Sequence, residues 1–159
     1  MQKKSCPISI IFSLAFLLPF FLSSQEDKPN ILFISVDDLK PSIGSFGDEF
    51  AITPNIDKLS GNATVFLNNQ TQLAICAASR VSFLTGLRPD KTRVWDLKTK
   101  MRDMNPDVLT LPEHFKNNGY QTIGVGKIYD PRAVDSGRDR RSWSQPFICL
   151  LYTSPSPRD

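Results

Sequence analysis

Two uninterrupted apolar runs open the chain, and they predict different things. The first, Ile8 to Leu22, follows Lys3 and Lys4 and leads into Leu22-Ser23-Ser24, the layout of a secretory signal over residues 1–24. A retained membrane anchor is the alternative, and Pro19 within the run and Glu26-Asp27 after it argue against that. The second run, Asn30-Ile31-Leu32-Phe33-Ile34-Ser35-Val36, has the length and pattern of a strand covered on both faces, as in a parallel sheet. It stops at Asp37-Asp38. In open α/β sheets ligands bind beyond the carboxyl ends of strands, so the pair stands where chemistry is usually placed.

Helical punctuation follows. Thr53-Pro54-Asn55 predicts a helix over about Ile56 to Ser60, with Gly61 as its stop. Val65-Phe66-Leu67 is a weak strand candidate. Ala77 to Thr85 predicts a helix ended by Gly86, with Val81, Leu84 and Leu87 as its buried stripe. From Lys91 to Val108 periodicity is poor and charges are mixed, which predicts surface loop with one short element around Trp95. Thr110-x-x-Glu113 has the form of a capping box, opening a helix through Phe115 to Asn118 with Gly119 after it. Tyr120 to Gly126 predicts a second strand that delivers Lys127. Beyond Arg132 the chain turns basic and irregular. Strand, helices and strand with glycines at the joints indicate an α/β architecture. Two convincing strands are too few for the sheet of such a fold, so residues 25–148 are expected to be a fragment of one.

Composition narrows the function classes. At 159 residues, 40% apolar and 22% charged, the chain has the balance of one modest globular domain. Residues 149–159 read as a non-native, adapter-derived tail; a genuine disordered Ser-Pro terminus is the other reading. Setting aside Lys3 and Lys4 at one end, and Arg158 with Asp159 at the other, lowers the net charge from +3 to +1. That leaves no electrostatic footprint for nucleic acid. Cys6 and Cys149 leave with the same segments, so Cys76 has no partner for an internal disulfide and is either a packed small hydrophobe or a reactive group.

The residue types at three places can do chemistry. Asp37 and Asp38 offer hard oxygen donors suited to Ca²⁺ or Mg²⁺, although acids leaving a strand also make ordinary solvated turns. Cys76 stands at a helix entrance, where unpaired amides favour a bound anion, and Arg80 lies one turn on along the same face; a buried cysteine beside a surface arginine has the same spacing. Lys127 adds a compact positive charge at a strand end, where a solvated lysine is equally ordinary. His114, the single histidine, sits in a short capped helix and reads as a surface residue, so no Ser-His-Asp triad is assembled. Arg138, Arg140 and Arg141 read as a charged loop before an anionic-polymer site. Asn62-Ala63-Thr64 and Asn69-Gln70-Thr71 match glycosylation acceptors.

Taken in order, these segments resemble the sulfatases of the alkaline phosphatase superfamily, most closely the iduronate-2-sulfatase-like group. The resemblance runs from about Pro29 to Phe147. It rests on Asn30 to Leu39, on Thr53-Pro54-Asn55-Ile56-Asp57-Lys58-Leu59, on Cys76-Ala77-Ala78-Ser79-Arg80 with Phe83-Leu84-Thr85-Gly86, and on Phe115 to Tyr120 leading to Val125-Gly126-Lys127. It implies the N-terminal part of a mixed-sheet sandwich with helices on both faces. It also implies that Cys76 is matured to formylglycine by a separate enzyme, that Asp37, Asp38 and matured Cys76 hold one Ca²⁺, and that Arg80 stabilises the hydrated aldehyde while Lys127 binds sulfate oxygens. The implied substrate is a sulfated carbohydrate, met outside the cytoplasm without a membrane anchor once the signal is removed. Because the family's remaining ligands lie further on, this stretch alone is expected to be inactive. A phosphodiesterase or phosphonate hydrolase of the same superfamily, or a non-catalytic binder of sulfated glycans, are the alternatives. In two places the chain departs from the family pattern. Ala78 stands where the motif most often has proline, and Asp130 where this group commonly has histidine. A carboxylate at 130 is expected to repel sulfate, and Asp130→His to keep activity at or above the native level.

Overall fold

The computed structural model describes residues 28–148, so the expected signal and the adapter-like tail lie outside the described residues. The chain divides into two compact units between Ile34 and Ser35. In the first, residues 28–34 form neither helix nor ladder. All the elements below belong to the second.

Helix α1 is Pro54–Ser60. Pro54 at its first turn has the preset backbone angle of a helix and no N–H left without a partner. Asp57 ties this helix to the preceding loop: its carboxylate accepts the Thr53 hydroxyl at 3.1 Å and the Ser45 N–H at 2.8 Å. Gly61 ends the helix without the left-handed turn its position suggested, remaining at φ −64.

Helix α2, Cys76–Thr85, begins after extended Ile75 and ends where Gly86 turns left-handed at φ 69, its N–H closing on the Ser82 carbonyl. Ala77, Val81 and Leu84, spaced at helical intervals, supply its buried face. Leu87, expected in that stripe, lies beyond the Gly86 turn and is exposed.

The stretch expected to be surface loop holds two short helices instead, α3 at Pro89–Thr92 and α4 at Met101–Met104. Val94 and Met101 are fully buried there and pack with Tyr129, Ala133, Val134 and Trp143 against α2. Single-turn helices are too short to show a periodicity, which is why the pattern missed them.

Helix α5, Leu111–Asn117, is the best predicted element. The Thr110 hydroxyl accepts the Glu113 N–H at 3.3 Å. Only that half of the capping box forms, because the Glu113 carboxylate turns away to Arg102 and Arg141. At the other end the Tyr120 N–H bonds the Phe115 carbonyl and the Gly119 N–H the Lys116 carbonyl, with Gly119 at φ 82 and the Phe115 and Tyr120 rings 5.1 Å apart. These are the two bonds and the apolar contact of a Schellman ending.

No strand ladder forms among the described residues, which corrects the expectations for Asn30–Val36, Val65–Leu67 and Tyr120–Gly126. The one pairing is an isolated parallel bridge between Val125 and Ile148, flanked by Gly126 N–H to Ile148 O and Ile148 N–H to Gly124 O, both at 3.0 Å. A ladder needs neighbours in register along its length, and the apolar run ending at exposed Val36 has none here.

Gly124 lies where a Cβ would sit 2.5 Å from the Phe147 ring and 2.8 Å from Trp143. Gly124→Ala is therefore expected to destabilise the protein by about 1–3 kcal/mol through forced repacking. Denaturant unfolding checks this, and an unchanged midpoint would contradict it.

Candidate active site

Three segments converge at the start of α2. Ser35 to Asp38 comes from the end of the apolar run, Cys76 to Arg80 is the first turn of the helix, and Lys127 follows Gly126, which at φ 76 adopts a turn that glycine makes without strain. Asp38 is also left-handed, at φ 50, a region that aspartate tolerates better than most residues. That turn lets adjacent carboxylates converge rather than point to opposite faces. Ligand atoms of Asp37, Asp38 and the Cys76 thiol all lie within 4.8 Å of one another.

Arg80 is the buried centre of this arrangement. Its guanidinium donates to the Ser35 hydroxyl at 2.9 Å, to the Ile128 carbonyl at 3.2 Å, to the Lys127 carbonyl, and to Asp37 at 2.7 Å. One side chain thus ties both loops to the helix. Lys127 Nζ donates to the second Asp37 oxygen. The hydrogen bond from Lys127, helped by Arg80 and opposed by partial burial, holds the Asp37 carboxyl below the ordinary aspartate range. A cleft of about 730 Å³ opens over the cluster, with Asp37, Asp38, Cys76, Ser79, Arg80 and Phe83 in its wall.

All five residues singled out in the sequence, Asp37, Asp38, Cys76, Arg80 and Lys127, are thus brought to one place. Cys76 is a half-buried free thiol. The carboxylates of Asp37 and Asp38 suit a hard cation, and each carboxylate oxygen has lone pairs for more than one partner. A thiol is a soft donor, so the set becomes uniformly hard only with an oxygen in place of the Cys76 sulfur. With that replacement, the residues present fit Ca²⁺.

His114 is exposed on α5, as expected. Arg141 is engaged within the chain: its guanidinium holds Glu113 at 3.1 Å and the Pro106 carbonyl at 2.6 Å. Both glycosylation-type asparagines, Asn62 and Asn69, are exposed.

Asp130 behaves differently from expectation. Its side chain is fully buried and takes Arg132 in a fork, Nε at 2.9 Å and Nη2 at 2.9 Å, while accepting the Arg132 N–H at 3.0 Å. Those Arg132 hydrogen bonds, against the opposing effect of burial, lower its pKa. A carboxylate so neutralised does not project its charge into the cleft, and Asp130→His is now expected to release Arg132 rather than to relieve a repulsion. In the sequence Arg132 only opens a basic stretch. The signal that could have found it was local: an acid and an arginine two residues apart with Pro131 fixing the backbone between them.

A free thiol at a helix entrance, paired acids and two basic side chains share one cleft, and comparison with known proteins places the chain in a family. Residues 29–132 match the model of the Sulfatase family, and the chain belongs to that family. Over 126 residues it is 46% identical to iduronate 2-sulfatase of Mus musculus and 45% identical to that of Homo sapiens, covering 78% of this chain and 23% of each relative. A choline-sulfatase of Rhizobium meliloti is 36% identical over 103 residues, which are 64% of this chain and 20% of that protein. The chain therefore matches less than a quarter of the length of these curated relatives.

Proposed function

We propose that this chain carries the nucleophile and the first cation-binding carboxylates of a sulfuric ester hydrolase acting on a sulfated sugar. The observation that carries the reading is the convergence of Asp37, Asp38 and Cys76 within 4.8 Å, with Arg80 and Lys127 closed on Asp37. Its similarity to iduronate 2-sulfatases supports a sulfated uronic sugar as the substrate class. The mixed-sheet sandwich of the superfamily is the architecture proposed for the whole protein, and export follows from the leader-like residues 1–24.

Each residue has a distinct task. Matured to formylglycine, Cys76 would supply two hydroxyls on one carbon, one to displace the alcohol from sulfur and one to let sulfate leave as the aldehyde re-forms. Asp37 and Asp38 would hold Ca²⁺, which supplies Lewis-acid polarisation of sulfate oxygens and a fixed template. Arg80, buried and bonded to both loops, keeps the Cys76 turn and Asp37 in register so that no reorganisation is needed during reaction. Lys127, more exposed, can turn from Asp37 to the sulfate oxygens as their charge spreads.

The full-length protein, produced alongside a formylglycine-generating enzyme, is expected to release sulfate from an aryl sulfate and to leave an aryl phosphodiester essentially untouched. Preferred turnover of the diester would move the protein to the phosphodiesterase branch. Peptide mass spectrometry across Cys76 should show the aldehyde or its hydrate; an unmodified thiol in that host would remove the mechanism.

A further inference from the structure

We infer that Lys127 is a tethered counter-ion of Asp37, one that must give up this carboxylate to a bound Ca²⁺ and is thereby set free for the cleft; this rests on the cation-site reading above. Both oxygens of Asp37 are taken: one accepts Arg80 Nη2 at 2.7 Å and the other Lys127 Nζ. Asp38 carries no ion pair among the described residues, so of the two acids only Asp37 is contested. Ligand atoms of Asp37, Asp38 and Cys76 lie within 4.8 Å of one another, which puts an ion held by all three directly beside the Asp37 carboxylate. At the separation that one carboxylate allows, a divalent ion and an ammonium repel each other strongly.

Of the two cations on Asp37, Lys127 is the one able to leave. Arg80 is 5% exposed, and its guanidinium also holds the Ser35 hydroxyl at 2.9 Å and the Ile128 carbonyl at 3.2 Å, so moving it would strand a buried charge and detach both loops from α2. The Lys127 side chain is 31% exposed, and Asp37 is its one partner among the described residues. The Lys127 main-chain carbonyl stays on Arg80, so the backbone is fixed while the flexible stem carries the ammonium elsewhere. Lys127 therefore competes with the ion for Asp37 and weakens its binding. It reaches a sulfate oxygen only after yielding that carboxylate, so the ion and the lysine enter the site in a set order.

Ca²⁺ binding to the matured full-length protein, measured by chelator competition, tests this without turnover. Lys127→Met is expected to bind Ca²⁺ roughly 10-fold tighter or more than the native protein, because no ammonium has to be displaced. Lys40→Met removes the same charge from the cleft wall, where Lys40 makes no ion pair with Asp37, and should tighten binding by less than about threefold. A second measurement needs no variant: in amine acetylation read by peptide mass spectrometry, saturating Ca²⁺ should raise the labelling rate of Lys127 by roughly fivefold or more and leave that of Lys40 within about twofold. Equal tightening in the two variants, no tightening in Lys127→Met, or Lys127 labelling that stays level or falls with Ca²⁺ overturns the inference and leaves the cation site standing. Absence of Ca²⁺ binding in the native protein and both variants instead removes the cation-site reading, and this inference with it.

Discussion

Cys76→Ser in the full-length enzyme is expected to release about one equivalent of alcohol per site from an aryl sulfate and then stop, with steady-state turnover down by roughly 10³-fold or more. The serine hydroxyl can attack sulfur as the S–O bond to the alcohol breaks, and the alcohol departs with the proton. It has no second hydroxyl on the same carbon. The resulting serine sulfate has only attack by water on a hindered sulfur as its exit, and Arg80 and Lys127 would hold it in place. Quenched-flow measurement of the burst, with mass spectrometry of the α2 peptide for an added SO₃, checks this. Sustained turnover near the native rate would show that the reaction does not depend on the matured residue.

Arg102→Ala should produce the largest loss of stability, about 3–5 kcal/mol, because it strands buried carboxylates. Arg102 donates to Asp139 at 2.9 and 3.0 Å and to Glu113 at 2.9 Å, and its side chain is only 16% exposed. Asp139 also accepts the Tyr129 hydroxyl at 3.1 Å and the Ser142 hydroxyl at 2.5 Å. Burial and the Asp139 charge together push the Tyr129 phenol well above its ordinary range, so it remains a neutral donor. For Asp139, burial raises the pKa, but the bonds from Arg102 and Ser142 and the Arg102 charge outweigh it, and the net shift is downward. A carboxyl depressed in the folded state adds stability above its unfolded pKa of about 3.9, and that stability is lost as pH falls through the folded value. Without Arg102 its bond and its charge are lost while burial and the Ser142 and Tyr129 bonds remain, so the downward shift of Asp139 shrinks. Urea unfolding at neutral pH and near pH 3 should therefore show the gap between native and variant narrowing with acid. A loss under about 1 kcal/mol at neutral pH would mean that the network carries little energy.

Much of the site was legible because its parts are local motifs. Asp37-Asp38, the Cys76 to Arg80 turn and Gly126-Lys127 could each be read as short strings, and α5 could be read from Thr110 at one end and Gly119 at the other. What could not be read was how the parts meet. Lys127 and Asp37 are 90 residues apart, and Arg80 reaches 43 residues back to Asp37 and 47 forward to the Lys127 carbonyl. No periodicity encodes such pairs. Asp130 is the opposite case: its fork to Arg132 spans only two residues and is a local pairing.

By itself, the sequence determined where α1, α2 and α5 lie, since proline, a capping threonine and helix-ending glycines act through bonds within one turn. It also determined which residues could do chemistry. Tertiary structure alone decided that Glu113 leaves its cap for Arg102, that Val94 and Met101 anchor a core in a stretch without pattern, and that the apolar run before Asp37 has no ladder here. A cap is satisfied by its own neighbours. A strand, a buried ion pair and an active site are each completed by groups remote along the chain, and their energy depends on what is brought alongside.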